Sequence, residues 1–151
     1  MFEDCGNIVN AYNLVLPQSG RAAPSQAYCS IFKNCSSLTT GPKFIDTLSG
    51  GSYTFLSMFD GCTALTSTPI LSTSYMSDST FCQYCMGCTS LQRTPIIPNV
   101  ITTSSRPWGI AFTNCSSLSA CEVKFTSWST FNSTSWYWMR GVQNFGLFIK
   151  P

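Results

Sequence analysis

Residues 58–69 read M-F-D-G-C-T-A-L-T-S-T-P, and the same pattern returns three more times. It occurs at residues 31–42 (I-F-K-N-C-S-S-L-T-T-G-P), at 84–95 (Y-C-M-G-C-T-S-L-Q-R-T-P) and, without the proline, at 111–122 (A-F-T-N-C-S-S-L-S-A-C-E). The copies align on Cys35, Cys62, Cys88 and Cys115, spaced by 27, 26 and 27 residues, with Leu38, Leu65, Leu91 and Leu118 three residues later. A fainter copy opens the chain, with Phe2, Cys5 and Ile8 in the Phe, Cys and Leu positions. Self-similarity at such a period marks a stacked repeat, because one short unit cannot bury its apolar face alone.

Each repeat position has a physical reason. Phe59, Cys62 and Leu65 are apolar and recur at one point of every copy, so they are expected to point inward and form ladders of like residues about 4.8 Å apart. The residue before each ladder cysteine is Asp4, Asn34, Gly61, Gly87 or Asn114. These types tolerate positive φ, which predicts a fixed left-handed corner. The Ser/Thr run after each leucine predicts a short strand, and Pro42, Pro69 and Pro95, which lack an amide donor, mark where it leaves the ladder. Residues 53–59 read as a short helix or 3₁₀ turn. From Phe125 onward the repeat pattern is lost and aromatic residues crowd in.

The repeated pattern resembles the BspA-like leucine-rich repeats of bacterial surface proteins, some protist surface proteins and phage proteins, over roughly residues 1–125. The resemblance implies a right-handed solenoid of about five 26–27-residue coils with short parallel strands. Residues 126–151 then form an aromatic C-terminal cap, the whole being a single domain. It also implies a non-enzymatic recognition or adhesion module that binds a protein or glycan on a phage particle or bacterial surface. Cys85 departs from the pattern by replacing the expected Phe, and Cys121 is an added cysteine in the last copy. The opening residues do not resemble a secretion signal, which fits either a complete virion or cytoplasmic protein or a domain of a longer surface protein.

Composition narrows the alternatives. Only 9% of the 151 residues are charged and the net charge is +2; no Lys/Arg cluster gives the footprint of a nucleic-acid binder. No apolar run approaches a membrane span. The chain has no histidine, so a Ser or Cys nucleophile would lack its commonest base. The chain reads as a non-enzyme without cofactor.

Nine cysteines admit a disulfide scaffold, a metal site or buried thiols. Cys82, Cys85 and Cys88 are spaced like a metal or iron–sulfur run, but a fourth ligand is not evident. Neighbours in a ladder have parallel Cα–Cβ vectors, a poor geometry for bridging, so structural thiols are the expected reading and a redox or metal protein the remote one.

Two sets of residues are candidate contact sites. Trp108, Trp136, Tyr137 and Trp138 could stack on sugar rings, although a terminal cap is needed in any case. At the other end, Phe2, Ile8 and Leu14, with Cys5, are expected on an open face of the first coil. Preceding sequence, a second copy or a partner protein would cover that face. A purely structural virion part that binds another virion protein is the alternative function.

Overall fold

A computed structural model describes residues 1–16, 21–72, 75–98, 101–102, 106–124, 137–142 and 147–149. Seven strands occur among them: β1 (Arg21–Ala23), β2 (Phe44–Gly50), β3 (Ile70–Ser72), β4 (Tyr75–Met76), β5 (Ile101–Thr102), β6 (Ala120–Glu122) and β7 (Leu147–Ile149). All the described pairings are parallel. One sheet runs β1-β2-β4-β5, with β3 also paired to β2, and β6-β7 form a second. The registers step by one repeat: Thr47 faces Arg21, Tyr75 faces Ser49, Ile101 faces Tyr75 and Leu147 faces Ala120. A parallel pair needs a long crossover between its members, and here that crossover is the rest of each coil.

The segment before each ladder cysteine is not helical. No helix occurs among the described residues, and 52–61 is a continuous run of turns. Every fourth residue there is left-handed: Tyr53, Ser57 and Gly61 in one coil, Gln26, Ser30 and Asn34 in the coil before, Ser79, Gln83 and Gly87 in the coil after. A helix would close every amide onto its own chain four residues back. This ribbon closes only alternate amides locally, such as Cys62 onto the Phe59 carbonyl at 3.1 Å. The intervening amides donate to the next coil: Phe32 to Met58 at 3.0 Å, Asn34 to Asp60 at 2.7 Å, Phe59 to Tyr84 and Gly61 to Met86 at 2.8 Å. Of the short helix or 3₁₀ turn expected over 53–59, the helix is absent and the local bonds reach three residues back, as in a 3₁₀ turn, but with Tyr53 and Ser57 left-handed they form a ribbon of separate turns knitted to its neighbours. Each non-glycine residue with positive φ costs about 1–2 kcal/mol, which the intercoil hydrogen bonds offset.

The corner residues adopt the conformation their chemistry suggests. Asp4, Asn34, Gly61, Gly87 and Asn114 have φ of 60°, 58°, 73°, 71° and 62°. Gly61 is required for a second reason, because a Cβ there would collide with Asn34 Oδ1.

Two aromatic columns fill the interior. One contains Phe2, Phe32 and Phe59, stacked at 5.5 Å centroid spacings. The other contains Tyr28, Phe55, Phe81 and Trp108, at 5.5, 5.0 and 4.5 Å. Where Cys85 replaces a ring of the first column, Tyr84 swings into the gap. Its ring lies edge-on to Phe59 at 5.4 Å and to Phe81 at 5.2 Å. The Tyr84 hydroxyl is buried without a hydrogen-bond partner, at a cost of about 1–3 kcal/mol.

The ladder cysteines are more than small apolar spacers. Cys35 Sγ donates to the Phe2 carbonyl at 2.9 Å, Cys62 to Phe32 at 3.0 Å, Cys88 to Phe59 at 3.1 Å and Cys115 to Cys85 at 3.0 Å. Each thiol therefore satisfies a carbonyl one coil earlier. All nine cysteines are unbridged.

Beyond Leu118 the stacking continues. Phe112 donates to the Trp138 carbonyl at 2.7 Å and Asn114 to Arg140 at 2.8 Å, and Gly141 has φ 78°. Met139, Gly141 and Val142 therefore take the Phe, corner and Cys positions of one more coil, and β7 lies beneath β6. The repeat expected to end near Phe125 thus resumes at Tyr137. The Ser/Thr runs form isolated bridges at Thr40 and Ser67 instead of strands, and Pro42 and Pro69 stand between these bridges and β2 and β3.

Candidate functional site

The open end of the first coil is the most distinctive surface among the described residues. In inner coils the residue four after the ladder cysteine is Thr39, Thr66, Gln92 or Ser119; in the first coil it is Val9. Where Pro42, Pro69 and Pro95 stand in later copies, the first coil has Tyr12. Met1, Val15, Val9 and Tyr12 are 92%, 80%, 56% and 45% exposed. Phe2, Ile8 and Leu14 are half-buried against the core, as their place on an end face requires. Phe2 stacks on Phe32 with one side of its ring only.

Phe2, Ile8, Ala11 and Leu14 line an open concavity of about 820 Å³ floored by Phe32. Met1, Leu14, Val15, Tyr28 and Ile31 line an adjoining one of about 410 Å³. The three residues expected to form a docking face, Phe2, Ile8 and Leu14, thus come together. The exposed Tyr12 lines the first concavity and Val15 the second, and the sequence signal for Tyr12 is an aromatic residue in a column that is Pro in three later copies.

The charges near this end have defined partners. Asp4 accepts a hydrogen bond from Asn34 Nδ2 at 2.9 Å. Lys33 and Asp60, one coil apart in the same repeat position, pair at 3.9 Å. Burial pushes the Asp60 carboxyl up and Lys33 opposes that rise. This repeat position therefore carries a charge pair where Lys and Asp are adjacent.

The aromatic candidates separate. Trp108 is 1% exposed and stacks on Phe81 at 4.5 Å, so its expected role in ligand stacking is corrected to a core rung. Trp138 is half-buried, edge-on to Phe112 at 6.2 Å. Tyr137 is exposed, with the Arg140 guanidinium over its ring at 5.6 Å. Trp136 lies outside the described residues.

Four buried thiols have little nucleophilic character. Burial raises Cys115 to about 12 and Cys121 to about 11, and also drives Cys62 and Cys85 well above the ordinary thiol range. The thiolate is the reactive form. In the run Cys82, Cys85 and Cys88, the last two are buried core rungs and Cys82 is half-exposed; among the described residues no three cysteine or carboxylate groups converge to hold a metal. No helix among the described residues is long and apolar enough to cross a membrane. Compared with known proteins, the chain matches no family model, no curated sequence and no solved structure.

Proposed function

We propose that the chain is a right-handed leucine-rich-repeat-like solenoid acting as a non-enzymatic recognition or adhesion module, and that it binds a protein through the face of its first coil. The observation that carries this reading is the apolar end face around Phe2, Ile8, Leu14 and Val15, with its open concavity of about 820 Å³. Exposed contiguous apolar surface of this kind marks protein interaction sites. Display on a phage particle or bacterial surface rests on the resemblance of the repeat. A glycan platform at the C-terminal aromatics has less support, since Trp108 is a core rung and Trp138 is half-buried.

Binding of the immobilised chain to purified phage-virion and bacterial-surface proteins, alongside a glycan array, tests the reading. Val15→Asp should abolish protein binding without unfolding the chain, because Val15 is 80% exposed. Binding that survives Val15→Asp and Leu14→Asp but is lost on Tyr137→Ala would overturn the assignment of the face.

A further inference from the structure

We infer that the occupant of the first coil's face is the last described coil of a second copy, stacked head to tail. This rests on the reading of that face as a docking surface and names its partner. The hydrogen-bond polarity of the ribbon is the first argument. Within the ribbon, amides of one coil donate to carbonyls of the next: Phe2 to Ile31, Phe32 to Met58, Phe59 to Tyr84, Cys85 to Ala111, Phe112 to Trp138; along the Ser/Thr side the direction reverses, as in Thr39 to Val9 and Thr66 to Thr39. By the ribbon's rule, among the described residues, the first coil turns the carbonyls of Met1 and Glu3 outward, and the last turns out the amides of Met139 and Gly141. Two first coils set ribbon against ribbon would place carbonyl against carbonyl. First coil against last coil matches donor to acceptor.

Side chains agree with the same arrangement. Met139 and Val142, half-buried on the last coil, occupy the columns of Phe2 and Cys5. A joint would seat Met139 over the open side of the Phe2 ring. It would also give the exposed Cys5 thiol the carbonyl of Met139, the contact that Cys35, Cys62, Cys88 and Cys115 each make one coil earlier. Gly141 would lie above Asp4 as Gly87 lies above Asn114.

Charge completes the match. Arg140 and Glu3 stand in the repeat position of Lys33 and Asp60, which pair across neighbouring coils at 3.9 Å. Stacking the last coil on the first brings Arg140 beside Glu3 in the same way. Such a joint is heterologous, so it propagates as an open chain instead of closing at a dimer.

Sedimentation velocity over a concentration series tests this on the full chain. The weight-average mass should rise steadily with concentration. Glu3→Arg and Arg140→Glu, both at exposed positions, should each raise the concentration needed for association about tenfold, the scale of a 1.4 kcal/mol change. Mixed in equal amounts, the two variants should associate like the wild type, because each then meets the opposite charge at both ends. A merely structural role for either residue cannot be rescued by mixing. A monomer at every concentration, a dimer of fixed size, or a mixture that fails to associate overturns the inference. A monomer whose binding to a virion or surface protein is still lost on Val15→Asp would overturn self-stacking alone and leave the docking face standing.

Discussion

The first coil and the coil built on residues 58–69 share a pattern and differ in their neighbours. Phe59, Cys62 and Leu65 are fully buried, between Phe32 above and Tyr84 below. Their counterparts Phe2 and Ile8 are half-buried and Cys5 is exposed. In a quasi-one-dimensional stack each unit contacts only the units beside it. The same three repeat positions are thus core in one place and open surface in another, and stability should be distributed unevenly along the chain.

The largest test of that contrast is a pair of truncations. Leu65→Ala should cost about 2–5 kcal/mol, the range for a fully buried leucine, whereas Ile8→Ala should cost about 1 kcal/mol because it already lies partly in water. Urea denaturation of both variants measures the difference, and equal losses would break the comparison.

Alkali should act on the inner coils and spare the first. Cys62, Cys85, Cys115 and Cys121 have folded pKa values raised above an ordinary value of 9.0 by burial. Their protonated form is the one the fold keeps, so their contribution is complete below pH 9 and declines as the pH rises toward the folded values. The loss approaches about 1.4 kcal/mol per pH unit for each thiol. Melting temperature should hold from pH 7 to about 9 and then fall steeply, and Cys5 should react with a maleimide in the native protein before any inner thiol. A flat melting temperature to about pH 11 would contradict the burial of these thiols.

The smallest effects sit at the corner. Gly61→Ala should cost about 1–2 kcal/mol, since φ is 73° and the added Cβ meets Asn34 Oδ1. Asp4→Gly, which keeps the left-handed preference and removes one exposed hydrogen bond to Asn34, should change stability by about 0.5 kcal/mol or less.

How far these features were legible depends on whether a residue type or only a shape is repeated. The Cys and Leu columns and the left-handed corner repeat chemically narrow residues, so alignment alone found them. The second aromatic column uses Tyr28, Phe55, Phe81 and Trp108; only the possession of a ring repeats, seven residues before each ladder cysteine, and Trp108 was misplaced as a result. The last coil was hidden by Met139 and Val142 standing in for Phe and Cys, with only Gly141, 27 residues after Asn114, as a trace. The ribbon at 53–59 looked helical because its apolar spacing suits a helix, while its deciding hydrogen bonds run to another coil. The open face of the first coil was half legible: Phe2, Ile8 and Leu14 follow from the repeat, but Tyr12 requires noticing a proline column turned aromatic, and no column singles out Val15.

The alternating amides have a mechanical consequence. Their intercoil hydrogen bonds, such as Asn34 to Asp60 and Gly61 to Met86, run along the stacking axis, so tension between the two ends loads them one coil at a time. Each inner coil holds 26–27 residues, and a fully extended chain spans up to about 3.3–3.6 Å per residue. Peeling one coil therefore releases about 90 Å of slack while the remaining coils stay folded. Pulled from its ends, the molecule should lengthen in steps of that size, yielding first at the coil with the fewest neighbours.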